Sequence, residues 1–282
     1  MKHLLEAAVL LVACFATWRL IFWTREGKKL QKSGYIPPAP TIIGRVSYGL
    51  LCKFFARLLL GPIQVIGKEN ASGRGRTAIL PNHQHIADFA VVRAALPYGY
   101  RQIGAAKEVK GIRAPFAAYF GTFAVPVMGG KSNQGHGAAL AAIQACARVL
   151  IQRLAKLLMF PQGKLVFDNV LRAEDFRTGC MRALGLAAEE VGRENLFIQP
   201  MAINYWKPTG NESLLRRLYF RAWSKFGAAA GSKPRVGATV VLGKLIPFSD
   251  FPTNPHEAIQ VYREHLQTLL DQAIEATPAQ YR

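Results

Sequence analysis

Seven consecutive residues, Asn82-His83-Gln84-His85-Ile86-Ala87-Asp88, bring two imidazoles, two amides and a carboxylate into one short stretch of chain. The stretch follows an apolar run, Thr77 to Leu80, that is closed by Pro81. A His and an Asp in one loop can form a dyad in which the carboxylate fixes the imidazole tautomer and steadies its protonated form. That makes His83 a candidate general base and Asp88 its partner. The plain alternative is that Asp88 N-caps the helix beginning there and His83 is an ordinary loop residue. A metal reading would use His83, His85 and Asp88, but His136, His256 and His265 stand in no ligand-like spacing, so no metal is expected. No Gly-x-Ser-x-Gly elbow occurs, so a serine nucleophile is not suggested.

Such a loop needs strands to carry it. From Ile63 on, short β-branched runs alternate with helical patterns. Strands are expected at Ile63 to Ile66, Thr77 to Leu80, Gln102 to Ala105, Thr122 to Val127, Leu157 to Phe160, Leu196 to Ile203 and Arg235 to Leu245. Helices are expected at Asp88 to Leu96, Gly137 to Gln152, Asp175 to Val191, Asn211 to Trp223 and Pro255 to Glu275. The alternation argues for an α/β fold: a single layered domain with a largely parallel central sheet flanked by helices. In open sheets of this kind ligands bind beyond the strand C-termini, where the His83 loop would lie.

Four blocks stand in order along the chain: Val65-Ile66-Gly67-Lys68-Glu69-Asn70, Asn82-His83 with Asp88, Phe160-Pro161-Gln162-Gly163, and Gln199-Pro200-Met201-Ala202-Ile203. This series resembles the glycerolipid acyltransferase family that includes the 1-acylglycerol-3-phosphate acyltransferases, over about residues 62 to 250. Members carry a V-x-G-x-E-N lead-in, an N-H-x4-D block, an F-P-E-G-T-R block and a V-P-V-A-I-like strand. The resemblance implies a membrane-associated O-acyltransferase in phospholipid synthesis, moving a fatty acyl group from an acyl thioester to the hydroxyl of a lysophosphatidate-like acceptor. It implies His83 as base and Asp88 as its orienting partner, a donor that is acyl-CoA or acyl carrier protein, a membrane-lipid acceptor, and no metal or other cofactor.

Two departures bear on acceptor recognition. Where the family has Glu-Gly-Thr-Arg, this chain reads Gln162-Gly163-Lys164-Leu165, so a carboxylate becomes an amide and the arginine is missing. Where the family has an arginine after its second block, the nearest cation is Lys131, which keeps the charge but not the planar fork. Lys131, Gln162, Gly163 and Lys164 are therefore candidate substrate-binding residues, with ordinary solvated lysines as the alternative for Lys131 and Lys164. Lys107, with Lys110 and Arg113 nearby, falls where the family keeps a Lys-x-Glu-Leu-like segment. These cations either bind donor or acceptor phosphates or form a basic face toward the bilayer.

The chain has 282 residues, half of them hydrophobic, with 36 Lys and Arg against 17 Asp and Glu and a formal charge of +19. That balance excludes an acidic solvating protein and points to an anionic partner: nucleic acid, an anionic bilayer or a phosphorylated substrate. The cations are scattered rather than interleaved with aromatics, so nucleic acid is not expected. The four cysteines form no CxxC pair, which suggests neither a disulfide framework nor a zinc ribbon.

Residues Leu4 to Trp23 are interrupted only by Glu6 and Arg19, and as a helix would span about 30 Å. Spanning and interfacial readings both stand. Arg25, Lys28, Lys29 and Lys32 follow, a flank that stays cytoplasmic or sits against anionic headgroups. A lipobox-like Leu11-Val12-Ala13-Cys14 is opposed by Glu6 and by the hydrophobicity that continues to Phe22. A proline-rich linker from Gly34 to Pro40 ends this helix. A second helix is expected from about Ile42 to Leu60, with an apolar face of Val46, Leu50, Phe54 and Leu58 among Arg45, Lys53 and Arg57. It is either a packed helix or an amphipathic membrane-docking one. The expected organisation is thus a membrane-associating helical pair over residues 1–61 and an acyltransferase-like domain over 62–282, held at the cytoplasmic face of a membrane, the inner one in a bacterium. Two other readings remain: an acyltransferase for a lysolipid lacking a phosphomonoester, and an inactive basic protein binding membrane or nucleic acid.

Overall fold

The computed structural model describes residues 2–125, 135–210, 212–227 and 233–281. The helices are α1 (Lys2–Lys29), α2 (Ile42–Leu59), α3 (Asp88–Ala95), α4 (Arg113–Tyr119), α5 (Gly135–Ile151), α6 (Gly179–Val191), α7 (Leu214–Gly227) and α8 (Pro255–Glu275). The strands are β1 (Ile63–Ile66), β2 (Thr77–Pro81), β3 (Arg101–Ala105), β4 (Thr122–Val125), β5 (Lys156–Leu158), β6 (Phe197–Tyr205), β7 (Ala238–Leu242) and β8 (Ile246–Pro247). The chain forms two compact units, one of Met1–Gly44 with Arg101–Ala145 and one of Arg45–Tyr100 with Cys146–Arg282. The strands expected between residues 62 and 245 are thus divided between them.

The larger unit carries strands in the order β1-β7-β6-β2-β5, with β8 beside β6. β1 runs parallel to β7, and β2 runs parallel to both β5 and β6, while β6 meets β7 and β8 antiparallel. The fold is α/β with largely parallel pairing. β2 and β6 are buried along their whole length, so neither shows the in-and-out alternation of a half-exposed strand. One face of this sheet packs Ile79, Leu158, Met201, Ile203, Val240 and Leu242 against Val91, Val92 and Leu96 of α3 and its end. α8 lies against β6 and β7 outside that cluster, and its buried Tyr262 hydroxyl donates to the Leu80 carbonyl at the end of β2. α8 begins where its sequence says it should: the Asn254 side chain accepts from His256 N, and Pro255 occupies the first turn.

The smaller unit pairs β3 and β4 in parallel and packs α1 on α4. The approach is close because Gly27 has no Cβ; one placed there would stand 2.6 Å from Pro115 N. Trp23 meets Tyr119 edge-on, and Glu26, 5% exposed, pairs with Lys29 at 2.6 Å and with Tyr35. The end of α1 is therefore a packed helix rather than a free apolar rod. No helix among the described residues is long and apolar enough to cross a membrane.

Several boundaries differ from the sequence expectation for identifiable reasons. α6 starts at Gly179 rather than Asp175, because Asp175 ends a short 3-10 turn from Ala173 and the chain is extended at Phe176 (ψ 136°) before the helix begins. The run expected from Arg235 to Leu245 breaks after Leu242. A Cβ at Gly243 would stand 2.8 Å from the Pro200 and Leu269 side chains, and Gly243 N donates to Pro200 O at 3.1 Å where the chain leaves β7 for β8. The end of the strand expected from Thr122 to Val127 falls outside the described residues.

Candidate active site

β2 delivers Asn82 and His83 at the C-terminal end of the larger unit's sheet, and Asn82 locks that end in place. Its Nδ2 donates to Ile203 O at 2.9 Å and its Oδ1 accepts from Ile203 N at 2.7 Å, across to β6. The Val65 to Asn70 lead-in works the same way: Gly67, at φ 72°, comes so close to Leu242 O that no Cβ would fit, and Asn70 Nδ2 donates to that carbonyl at 2.8 Å. These asparagines and this glycine position strands; they do no chemistry.

His83 and Asp88 meet as the sequence predicts. Nδ1 of His83 donates to Asp88 Oδ2 at 2.7 Å. The same oxygen accepts from Gln84 N at 2.7 Å and His85 N at 3.0 Å, and Oδ1 accepts from the Tyr205 hydroxyl. Four donors converge on one fully buried carboxylate, which as an anion has lone pairs for all of them. Asp88 thus caps the loop backbone and orients the imidazole at once, so the two readings of this residue are not exclusive. With Nδ1 committed, Nε2 of His83 has no partner among the described residues, and the side chain is 22% exposed. It is free to exchange a proton.

His85 is excluded as the base. Its Nδ1 accepts from Ala87 N at 3.1 Å and its Nε2 donates to Lys233 O at 3.2 Å, so both ring nitrogens are engaged in a neutral tautomer. It is 2% exposed, and burial holds its pKa below the ordinary histidine value. Among the described residues no three His, Cys, Asp or Glu side chains stand close enough to share a metal ion.

The segment from Phe160 to Val166 braces the other side of His83. Phe160-Pro161-Gln162-Gly163 makes a turn closed by Gly163 N to Phe160 O at 3.0 Å, with proline at its second position and Gly163 at φ 62°. The Phe160 ring stacks on the His83 ring at 4.0 Å between centroids. Gln162 Oε1 accepts from His83 N at 2.6 Å, and Val166 N donates to His83 O at 2.8 Å. The backbone donor fixes the amide orientation, which leaves Gln162 Nε2 buried and without a partner among the described residues. Behind the loop, Gln84 donates to Asn169 at 2.7 Å, Asn169 to Asn204 at 3.0 Å, and Asn204 to Thr277 at 2.8 Å.

The candidate substrate-binding cations fare differently. Lys164 is ion-paired with the buried Asp175 at 2.5 Å, so its charge is already answered. Lys107 lies exposed in the turn after β3, in the smaller unit. Lys131 lies outside the described residues. Sequence reasoning missed two groups. Arg177 donates its backbone N–H to Pro161 O at 2.9 Å and its Cγ lies 3.6 Å from where a Gly163 Cβ would be. Its exposed guanidinium has no partner among the described residues. Tyr205, on β6, reaches Asp88 because β6 continues past Met201, the residue opposite Pro81. Burial first, and the Asp88 carboxylate second, push the Tyr205 pKa well above the ordinary phenol value, so it stays a donor.

Tyr205→Phe is expected to leave Asp88 Oδ1 unsatisfied in a buried site and to destabilise the fold by about 1–3 kcal/mol. In any reaction that uses this pair, it should also lower kcat while leaving substrate KM little changed, because Asp88 then holds the imidazole less firmly. Denaturant melts and steady-state kinetics on the same preparation check both.

No family model matches the chain, and no curated protein matches it. Among solved structures, the 1-acyl-sn-glycerophosphate (LPA) acyltransferase PlsC of Thermotoga maritima is similar, with a TM-score of 0.53, 14% sequence identity, and coverage of 82% of this chain and 79% of that one. The chain has the α/β fold of this acyltransferase, with the His83–Asp88 pair at its strand ends.

Proposed function

We propose that the protein is an O-acyltransferase that moves a fatty acyl group from an acyl thioester to the hydroxyl of a lysophosphatidate-like acceptor. The observation that carries this reading is the oriented, half-buried His83 imidazole with Nε2 free, in a fold shared with an LPA acyltransferase. His83 Nε2 would take the proton of the acceptor hydroxyl as its oxygen attacks the thioester carbonyl. The tetrahedral intermediate then collapses with cleavage of the C–S bond, and the imidazolium returns the proton to the departing thiolate. Asp88 stabilises the imidazolium throughout. The donor is acyl-CoA or acyl carrier protein.

The acceptor reaches the site from a membrane surface. α2 splits into two stripes of opposite fate: Tyr48, Cys52 and Ala56 are buried, whereas Val46, Leu50, Phe54 and Leu58 are 55–64% exposed. The apolar face read from the sequence is the one turned out, with Lys53 and Arg57 among it. An exposed apolar stripe with flanking cations is the pattern of an interfacial helix lying on anionic lipid.

A phosphomonoester on the acceptor would be met by Arg177, beside the Gly163 turn, and by the unpartnered Gln162 amide rather than by Lys164. An arginine offers the planar fork that suits a phosphate, and this one has no competing carboxylate among the described residues. Arg177→Ala is therefore expected to raise KM for lysophosphatidate about tenfold or more, with donor KM unchanged, whereas Lys164→Ala mainly lowers stability by leaving Asp175 only its 3.9 Å contact with Arg172. A panel of lysophosphatidate and the matching unphosphorylated lysolipid tests the acceptor class. Product from the unphosphorylated acceptor alone, with Arg177→Ala silent, would favour the acceptor that lacks a phosphomonoester, a reading already suggested by the neutral Gln162 and the paired Lys164.

A further inference from the structure

The opposite end of β2 from His83 holds positive charge with no counter-charge among the described residues. Lys156 opens β5 and stands opposite Thr77, the first residue of β2. The five residues of β2 separate it from the catalytic end by about 16 Å. Lys156 is 9% exposed, and its ammonium makes no hydrogen bond or ion pair among the described residues. Its near neighbour is the Tyr98 ring, with Nζ 4.9 Å from the centroid. The Tyr98 hydroxyl is itself buried without a partner. Arg45, at the start of α2, lies over the next residue of the same loop: its Cδ is 2.9 Å from where a Gly99 Cβ would be. Its exposed guanidinium has no acidic partner among the described residues either. Burial first, and the charge of Arg45 second, hold the Lys156 pKa below the ordinary lysine value.

A lysine buried along its stem, whose ammonium reaches solvent only at the tip, loses part of its hydration, and a cation–π contact answers only part of the charge. Here a second cation stands close by, and every polar group in the cluster can donate: the ammonium, the guanidinium and a phenol O–H, of which only the phenol can also accept. A water could take the hydrogen bonds but not the charge. The ligand chemistry that takes both is a compact oxyanion with several acceptor oxygens. We propose that Arg45, Tyr98 and Lys156 form a site for a phosphate-type anion, separate from the His83 centre. Arg45 is exposed beside Val46 on the apolar stripe of α2, so the anion is either the phosphate of an anionic lipid or free phosphate.

The test is thermal unfolding of the full chain in inorganic phosphate against chloride at matched ionic strength, for the wild type, Lys156→Met and Arg45→Gln. In chloride, Lys156→Met should melt above the wild type, because a partly desolvated cation beside Arg45 has been replaced by an apolar chain of similar shape. Added phosphate should raise the wild-type Tm saturably by about 3 °C or more. Arg45→Gln should need more phosphate for the same rise, and Lys156→Met should show none, so that the gap closes or reverses. Flotation with phosphatidylcholine vesicles, with and without phosphatidic acid, separates the sources. Binding gained with phosphatidic acid by the wild type and not by Lys156→Met assigns a lipid headgroup; equal gains, with the thermal response intact, assign free phosphate. A wild type that does not respond to phosphate, or a response equal in Lys156→Met, would overturn the site. None of these readouts depends on acyl transfer.

Discussion

His83→Ala is expected to lower acyl transfer by about two to four powers of ten while the protein stays folded. The loss follows from the removal of Nε2, the one ring nitrogen in the loop left free to accept a proton. His85 cannot substitute, since both of its nitrogens hold backbone groups of the loop and of Lys233. The structural cost is small. His83 is partly exposed, and what it gives up in packing is the stack on Phe160, about 1 kcal/mol. His85→Ala should show the reverse pattern: it strands the buried Ala87 N, removes the bond to Lys233 O and costs about 1–3 kcal/mol of stability. Turnover and denaturant melts on the two variants together separate the roles, and full activity in His83→Ala with none in His85→Ala would reverse the assignment.

Asp88→Asn is expected to lower kcat by about two to four powers of ten with little change in acceptor KM. The surrounding donors determine how the amide would sit. Gln84 N and His85 N both point at the Oδ2 position, so the asparagine oxygen takes that place and still accepts from His83 Nδ1. Its NH2 then faces the Tyr205 oxygen, which can accept. The imidazole keeps its orientation, and what disappears is the negative charge that stabilises the imidazolium in the transition state. The contrast with Tyr205→Phe is diagnostic: one variant removes charge and keeps contacts, the other keeps charge and removes a contact. A loss of stability in Asp88→Asn as large as that in Tyr205→Phe, with kcat nearly unchanged, would show Asp88 to be a loop cap alone.

The dyad was legible because both of its members lie within one short loop between an apolar strand and a helix, where spacing alone brings them together. Tyr205 was not, since it lies 117 residues from Asp88 and only the parallel register of β2 with β6 brings it there. Arg177 was hidden for a related reason. It follows the Gly163 turn after a segment of bends rather than a regular element, and no period places it. For α2 the spacing of apolar residues was clear, but both stripes are apolar enough to pack, and only the surrounding chain decides which is turned inward. α4 went unread because a seven-residue helix with proline in its first turn, set between Gly111 and Gly121, shows no complete apolar repeat. The parallel pairing followed from the alternation of strands and helices; the antiparallel return of β7 beside β6 did not, because the long connection between them resembles any other crossover.

The central claim is that His83 transfers a proton from a lipid hydroxyl to a thiolate during acyl transfer. Its most direct measurement follows free thiol and new ester together, by mass spectrometry, with purified full-length protein, an acyl thioester and a lysolipid acceptor. The expected result is one ester formed per thiol released, thiol release that depends on the acceptor, and neither product from His83→Ala. Thiol release that is indifferent to acceptor and gives no ester, or ester formed at the wild-type rate by His83→Ala, would contradict it.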